Sequence, residues 1–274
     1  SYIGSDDMEP LDVGPETFYI QRHAKKIRAL GYSGGGRGDS YGYADRDITA
    51  LVPHFFRGCK AKRWAYQQDP WSVLGVVMDN GEVLALTVNQ EHQVMAWSRH
   101  TFPTPIKDIC CIPGANQDDV YFLAGTGANA KLLKMHERPA GYEWTASDAY
   151  KFRDEADTPI RAACELLEYE QAGINGTLQG RSKHIAQVTF RVMDTCGFQA
   201  GIINENNQDL DDVRFPGQMA PVPLTVPYTG DVYMEIPGGF GRECRIRIEC
   251  GDAHPVTILG VFMGVNVDEG MQSG

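Results

Sequence analysis

Residues 64–100 read WAYQQDPWSVLGVVMDNGEVLALTVNQEHQVMAWSRH. Val73–Met78 is apolar and β-branched, the composition of a strand. Asn80-Gly81 follows, and that dipeptide supplies the two positive-φ residues of a type I′ hairpin. Glu82–Val88 is the return strand, with Leu84, Leu86 and Val88 on one face. Gln93–Arg99 reads as a third strand and Ile106–Ile112 as a fourth. Four short antiparallel strands in sequence make a meander, the unit of a β-propeller blade.

On either side of this stretch the pattern stays β. Thr17–Gln21 and Lys25–Leu30 read as a hairpin, and Tyr32–Tyr43 as a Gly/Ser/Tyr loop without core residues. Asp45–Gly58 predicts one short helix. Asp47 suits an N-cap, Ile48, Leu51, Val52 and Phe55 fall on one helical stripe, and Gly58 stops it. Asp118–Gly125 and Lys131–His136 predict two strands of a further blade. Glu137–Asp157 is polar and proline-bounded, which places a domain boundary at 157/158. Beyond it, Pro159–Glu170 fits either period and is taken as a strand. Ile185–Met193 points Ala186, Val188, Phe190 and Val192 inward, and Val232–Ile236, Glu243–Cys250 and Val256–Val267 complete an antiparallel sheet. The last of these is apolar on both faces and is expected to be central or covered on both sides. The expected fold is mainly β: propeller-like blades over 1–157, then a small antiparallel sandwich or barrel over 158–274.

Composition narrows the function classes. A net charge of -11 argues against a nucleic-acid-binding surface, which would be basic. The longest apolar run, near Val256–Val265, is glycine-broken and too short to span a bilayer. The seven cysteines include no CxxC pair, so neither a zinc site nor a disulfide framework is expected. Cys244, Ile246, Ile248 and Cys250 share one strand parity and are expected to face a core as reduced thiols. The two cysteines would lie about 20 Å apart, beyond any bridge.

Candidate chemistry is sparse. Gly31-Tyr32-Ser33-Gly34-Gly35 fits the G-x-S-x-G nucleophile elbow. That turn needs a helix straight after the serine, and Gly34, Gly35, Gly36 and Gly38 do not favour one. The same glycines lack the lysine and Ser/Thr of a phosphate loop. Arg37-Gly38-Asp39 matches an adhesion tripeptide, a chance occurrence in a glycine loop. His92, His100 and His136 lack spaced ligand partners. Acidic pairs at Asp6-Asp7, Asp118-Asp119 and Asp209–Asp212 match no calcium loop and read as solvated turns. Trp64, Trp71, Trp97, Tyr66 and Tyr121 could form a sugar-binding platform, although core packing is the simpler use. No catalytic residue, cofactor or metal is expected. Gly197–Tyr228 is long, polar and proline-rich, and a connection of that length is functional or ordered by a partner. Phe215, Met219, Leu224, Val226 and Tyr228 are its apolar residues and the candidate subunit interface.

Several stretches also resemble one family in the right order. FYIQRHAKKIRAL (18–30), DITALVPHFF (47–56), the YQQ–P–S–DNGE–L–LT–QE–V–AW–RH run within 64–100, GTLQGRSKHIAQVTFR (176–191), YTGD (228–231) and HPVTILGVFMGV (254–265) are similar to tail nozzle proteins of short-tailed bacteriophages, also called tail tubular protein B. The likeness extends from about residue 15 to 267, and no motif in it is catalytic. It implies a structural virion protein. Its expected form is a sixfold homo-oligomeric ring below the portal-adaptor ring, in contact with tail fibre or spike proteins, through which genomic DNA passes without specific binding. Location in the virion tail, assembly in the host cytoplasm and no membrane partner follow from the same likeness. The chain starts at Ser1 and resembles the later part of longer members, so a C-terminal portion or a short member is expected. The alternative is a carbohydrate-binding or host-adhesion β module of a tail.

Overall fold

A computed structural model describes residues 3–33, 42–89, 92–136, 159–170, 172–173, 176–177, 180–203, 209–220, 223–236 and 240–267. The protein is mainly β, with antiparallel sheets and no closed barrel among the described residues. It divides into two compact units, Ser1–Glu137 and Arg138–Gly274. The stretch expected to carry the boundary lies outside the described residues.

The first unit is a series of meanders. β1 (Leu11–Val13), β2 (Glu16–Ile20), β3 (Ile27–Ser33) and β4 (Gly42–Asp47) form one sheet in chain order. β5 (Ala61–Gln67), β6 (Val73–Met78), β7 (Val83–Asn89) and β8 (Val94–His100) form the next, again in order. β9 (Ile106–Pro113), β10 (Asp118–Ala124) and β11 (Lys131–Lys134) form a third. The middle sheet is covered on both faces. Leu74, Val76, Met78, Leu84 and Leu86 pack with Phe18, Ile20, Ile27 and Ala29 of the first sheet. Val77 and Val83 pack on the other side with Ile106, Ile109, Val120 and Phe122 of the third. Near-continuous apolar character in β6 is what a strand buried on both faces requires.

Three expectations for this unit are corrected. The meander around residues 64–100 consists of β5 to β8, because β5 precedes it and β9 leaves it. Pro103 and Pro105 interrupt the chain after β8, and Ile106 and Ile109 then cover the sheet from outside instead of extending it. The Asn80-Gly81 turn is not type I′. Positive φ occurs only at Gly81 (+89°), and Met78 N–H donates to Glu82 O (2.9 Å) across a three-residue loop closed by Gly81 N–H to Met78 O (3.0 Å). This is the pattern of a turn followed by a left-handed glycine. A Cβ at Gly81 would lie 2.5 Å from Pro105 Cβ, so only glycine fits.

The expected helix over residues 45–58 is instead the end of β4, a turn and one 3-10 turn at Pro53–Phe56. Asp47 caps no helix: its Oδ1 accepts from Thr49 N–H (2.9 Å) and from Thr49 Oγ1 (2.6 Å) in the turn after β4, and the 3-10 turn has no side-chain cap. Pro53 then disfavours helical backbone at Val52, which sits at φ -127°, ψ 41°. Proline also brings no N–H for an α-helical bond. Ile48, Val52 and Phe55 still pack on the core, whereas Leu51 points to solvent.

The second unit is a two-sheet sandwich. β12 (Ala162–Glu165), β16 (Gln199–Ile203), β17 (Asp211–Asp212) and β19 (Arg245–Cys250) form one sheet in the order β12-β19-β16-β17. β15 (Lys183–Thr195), β18 (Tyr228–Glu235) and β20 (Ile258–Val267) form the other in the order β18-β15-β20. β13 (Ala172–Gly173) pairs antiparallel with β14 (Gly176–Thr177). Val188, Phe190, Val192, Val232 and Met234 of one sheet meet Ala200, Ile202, Ile246 and Ile248 of the other, the alternation expected of facing inner surfaces.

Further differences from the sequence reading lie here. A register shift in β15 between Ile185 and Gln187 turns Ile185 inward in place of Ala186. The stretch 197–228 is not one loop, because β16 runs through it with Ala200 and Ile202 in the core. Among the described residues β20 is an edge strand, bonded to β15 alone. Among the described residues no helix is long and apolar enough to cross a membrane.

Candidate assembly surface

The five candidate interface residues divide into two groups. Phe215 is 3 % exposed and belongs to the sandwich core. It continues a ladder of edge-on rings: Phe190 to Phe198 (5.1 Å), Phe198 to Phe215 (6.2 Å) and Phe215 to Tyr228 (5.8 Å). Leu224 and Tyr228 are half-buried against the same core. Leu224 N–H donates to Cys196 O (2.7 Å), tying this segment back to the end of β15. Gln218 closes the turn after Phe215, its Oε1 accepting from Phe215 N–H (3.0 Å). Met219 and Val226 are different: 99 % and 73 % exposed. Residues 215–230 carry no charge. The segment is therefore anchored by three of its apolar residues and presents the other two outward.

A shallow cavity of about 260 Å³ opens on the β16–β19 sheet, lined by Arg161, Gln199, Asp212, Glu249, Cys250 and Asp252 among others. Beside it Cys250 Sγ lies 4.0 Å from His254 Nδ1, and His254 Nε2 lies 3.6 Å from Asp252 Oδ2. A thiol, an imidazole and a carboxylate in this order resemble a nucleophile, base and orienting acid. The electrostatics oppose that use. Burial pushes the Cys250 thiol up, and burial together with Cys250 pushes the Cys196 thiol up to about 12. An activated cysteine needs the reverse. Sequence reasoning did not assemble this cluster, and the C-x-D-x-H spacing across a turn matches no signature that would have marked it.

The remaining candidates are dispersed. Ser33 ends β3 and pairs with Gly42 of β4, and the described residues pause after it. The glycines after it lie outside them, as does Arg37-Gly38-Asp39. Trp64 and Trp97 pack in the core, and their indole N–H groups donate to Glu9 O (2.9 Å) and Ile48 O (3.0 Å). Tyr66 packs there too, while Trp71 is exposed, so core packing takes up three of the five aromatics offered for a sugar platform. Asp118 Oδ2 accepts from Gln68 N–H and Asp69 N–H (both 3.0 Å), and Asp119 pairs with Lys134 (2.7 Å). These carboxylates organise a turn. Among the described residues no group of three or more His, Cys, Asp or Glu is placed to hold a metal. All seven cysteines are thiols. Cys244 is buried as expected, Cys250, expected to face the core beside it, is half-buried, and Cys110 and Cys164 are exposed.

No protein-family model matches the chain, and no curated protein matches it.

Proposed function

We propose that the chain is a structural virion protein, a subunit of the tail nozzle of a short-tailed bacteriophage. In this reading it associates into a sixfold ring that retains genomic DNA before infection and guides it out afterwards. The observation that carries the proposal is the serial stacking of antiparallel meanders in the first unit, each covering the face of the one before. A propeller is built by repeating that step around an axis, and the sequence resemblance runs through the same strands. The second unit, a sandwich with an exposed uncharged segment, supplies a surface for joining subunits.

The mechanism is geometric and electrostatic, with no catalytic step. A chain of net charge -11 offers phosphates little to bind, so DNA slides past without being held at any site. The portal-adaptor ring and tail fibres or spikes are its partners in the particle. The carbohydrate-binding alternative is disfavoured because Trp64 and Trp97 are turned into the core. Electron microscopy of virions labelled with antibody to this chain tests the reading, which expects label at the tail tip. Label on the capsid, or none on particles that lyse normally, would sink it.

A further inference from the structure

The first unit holds a cavity of about 630 Å³ walled by three segments, residues 6–8, 22–24 and 60–63. Arg22, Lys60, Lys62 and Arg63 line it, together with His23, and Asp6 and Asp7 are its only carboxylates. Positive charge therefore outnumbers negative there, in a chain whose net charge is -11.

Main-chain bonds fix the three walls to one another. Arg22 N–H donates to Gly4 O (2.7 Å) and Asp6 N–H donates to Ile20 O (2.8 Å), which ties the first wall to the second. Ala61 N–H donates to Ala24 O (2.9 Å), which ties the second to the third. Lys60 is held in turn by Asp79, whose N–H donates to Lys60 O (2.9 Å) and whose Oδ1 accepts from Lys60 N–H (3.0 Å). His23 and Ala24 sit at φ +79° and +53°. Left-handed backbone costs an L residue energy, and such residues concentrate at ligand sites. The third wall carries a bulge. Pairing of β5 with β6 shifts register between Ala61 and Arg63. Ala61 and Trp64 thus both face the core, while Lys62 and Arg63, adjacent in sequence, are both exposed. Bulges re-aim side chains in this way and are frequent beside active sites.

These cations are short of partners. Arg22, Lys60 and Lys62 form no ion pair among the described residues, and Arg63 meets Asp108 only at 3.8 Å. Elsewhere in the same unit Lys26, Arg28, Arg46 and Lys134 each hold a carboxylate, at 2.8, 2.9, 2.6 and 2.7 Å. Arg57, Arg99, Lys107 and Lys131 are also unpaired, but none of them lines the cavity. Like charges gathered without counter-charge repel one another, and a ligand of opposite charge removes that cost.

We propose that this cavity binds a small oligophosphate, the di- or triphosphate group that a nucleotide carries, with Arg22, Lys60, Lys62 and Arg63 meeting the phosphate oxygens. Guanidinium forks grip such oxygens in pairs and lysine ammoniums act on them as point charges. The volume is that of a small-molecule site. Asp6 and Asp7 oppose the ligand's charge and hold the affinity down. A cavity of this size meets a few phosphates, not the extended row that holds a duplex, so the site is a local exception to the charge that lets DNA pass. It does not rest on the nozzle proposal.

The test uses the full chain and pyrophosphate, followed by titration calorimetry at low salt. Saturable binding at one site per chain is expected. Lys60→Gln/Lys62→Gln removes two cations at exposed side chains. It should keep the wild-type circular dichroism and weaken binding by about tenfold or more. Asp6→Asn/Asp7→Asn should strengthen binding. Arg99→Gln/Lys131→Gln changes net charge by as much, at exposed side chains away from the cavity, and should leave binding as in wild type. An equal loss in that variant would reduce the effect to overall charge and overturn the proposal. So would the absence of any binding up to about 1 mM pyrophosphate, or equal binding of citrate, which would make the site indifferent to phosphate. A short DNA duplex bound more tightly than pyrophosphate at equal phosphate concentration would overturn it too, by assigning these cations to nucleic acid.

Discussion

At the scale of single residues, two kinds of position can be tested. Gly81 combines φ +89° with Pro105 Cβ 2.5 Å from where its own Cβ would be. Gly81→Ala adds both a strained backbone and a clash across the β6–β7 turn. The expected loss is about 1–3 kcal/mol, read as a lower denaturant midpoint with an unchanged slope. A midpoint equal to wild type would mean that the turn relaxes without cost. The cysteines form the second test. Cys196 and Cys244 are buried, and burial raises the Cys196 thiol to about 12, so it holds almost no thiolate at neutral pH. Cys110 and Cys164 are exposed. Native labelling by a maleimide should mark Cys110 and Cys164 first, with Cys196 and Cys244 reacting only after denaturation. Rapid native labelling of Cys244 would place its strand face outward and contradict the sandwich core.

At the scale of elements, one buried cation ties segments together. Lys183 at the start of β15 is fully buried, and its Nζ donates to Glu168 Oε1 (2.6 Å) and Glu170 Oε1 (3.1 Å). Burial alone would lower its pKa, but the two carboxylates outweigh that and hold it above the ordinary lysine value. The sign follows from linkage: a pKa raised on folding stabilises fully below the unfolded value and is lost as pH rises through the folded one. Stability of the second unit should therefore fall above about pH 10.5, and Lys183→Met should remove that component of the pH dependence. Lys183→Met should cost about 1–3 kcal/mol at neutral pH, because the half-exposed glutamates can return to water. An alkaline limb unchanged by the substitution would assign it to other groups. The elements themselves were unevenly legible in sequence. β6 was readable residue for residue because a buried strand needs an unbroken apolar run. The helix over residues 45–58 failed because its stripe ignored Pro53, whose effect on Val52 outweighs the period. β16 was missed although Phe198, Ala200 and Ile202 alternate, since the surrounding prolines and polar residues dominated the composition of 197–228. Assignment of β9 to the wrong sheet has another origin: periodicity reports a strand's faces, while its neighbour depends on where the chain turns. For the same reason β20 read as central or covered on both sides. Its sequence records that both faces are apolar and carries no statement of which chain covers them.

At the scale of the whole molecule, the candidate surface was half legible. Composition singled out 197–228 as long, polar and proline-rich, with Phe215, Met219, Leu224, Val226 and Tyr228 as its apolar residues, and the structure divides those residues by what they touch. Phe215, Leu224 and Tyr228 serve the sandwich, and Gln218 holds the turn, so deleting this stretch would damage the fold and test nothing about assembly. Met219 and Val226 touch little within the chain. Changing both to aspartate introduces charge where the chain has none between residues 215 and 230, at side chains already in solvent. Surface changes of this kind alter stability by about 0.5 kcal/mol or less, so the melting curve of Met219→Asp/Val226→Asp should overlay that of wild type. Assembly should respond differently. A joint between subunits at these residues would bury two carboxylates without a partner, at a cost well above that of losing two apolar contacts. Phage complemented with the double variant should therefore yield particles whose tails lack this chain, with the soluble protein accumulating folded. A Phe215→Ala control should fail in the opposite way, by unfolding. Should the aspartate variant enter tails at the wild-type level, neither residue lies at a joint between subunits, and the uncharged stretch would have to be explained by the fold of the single chain.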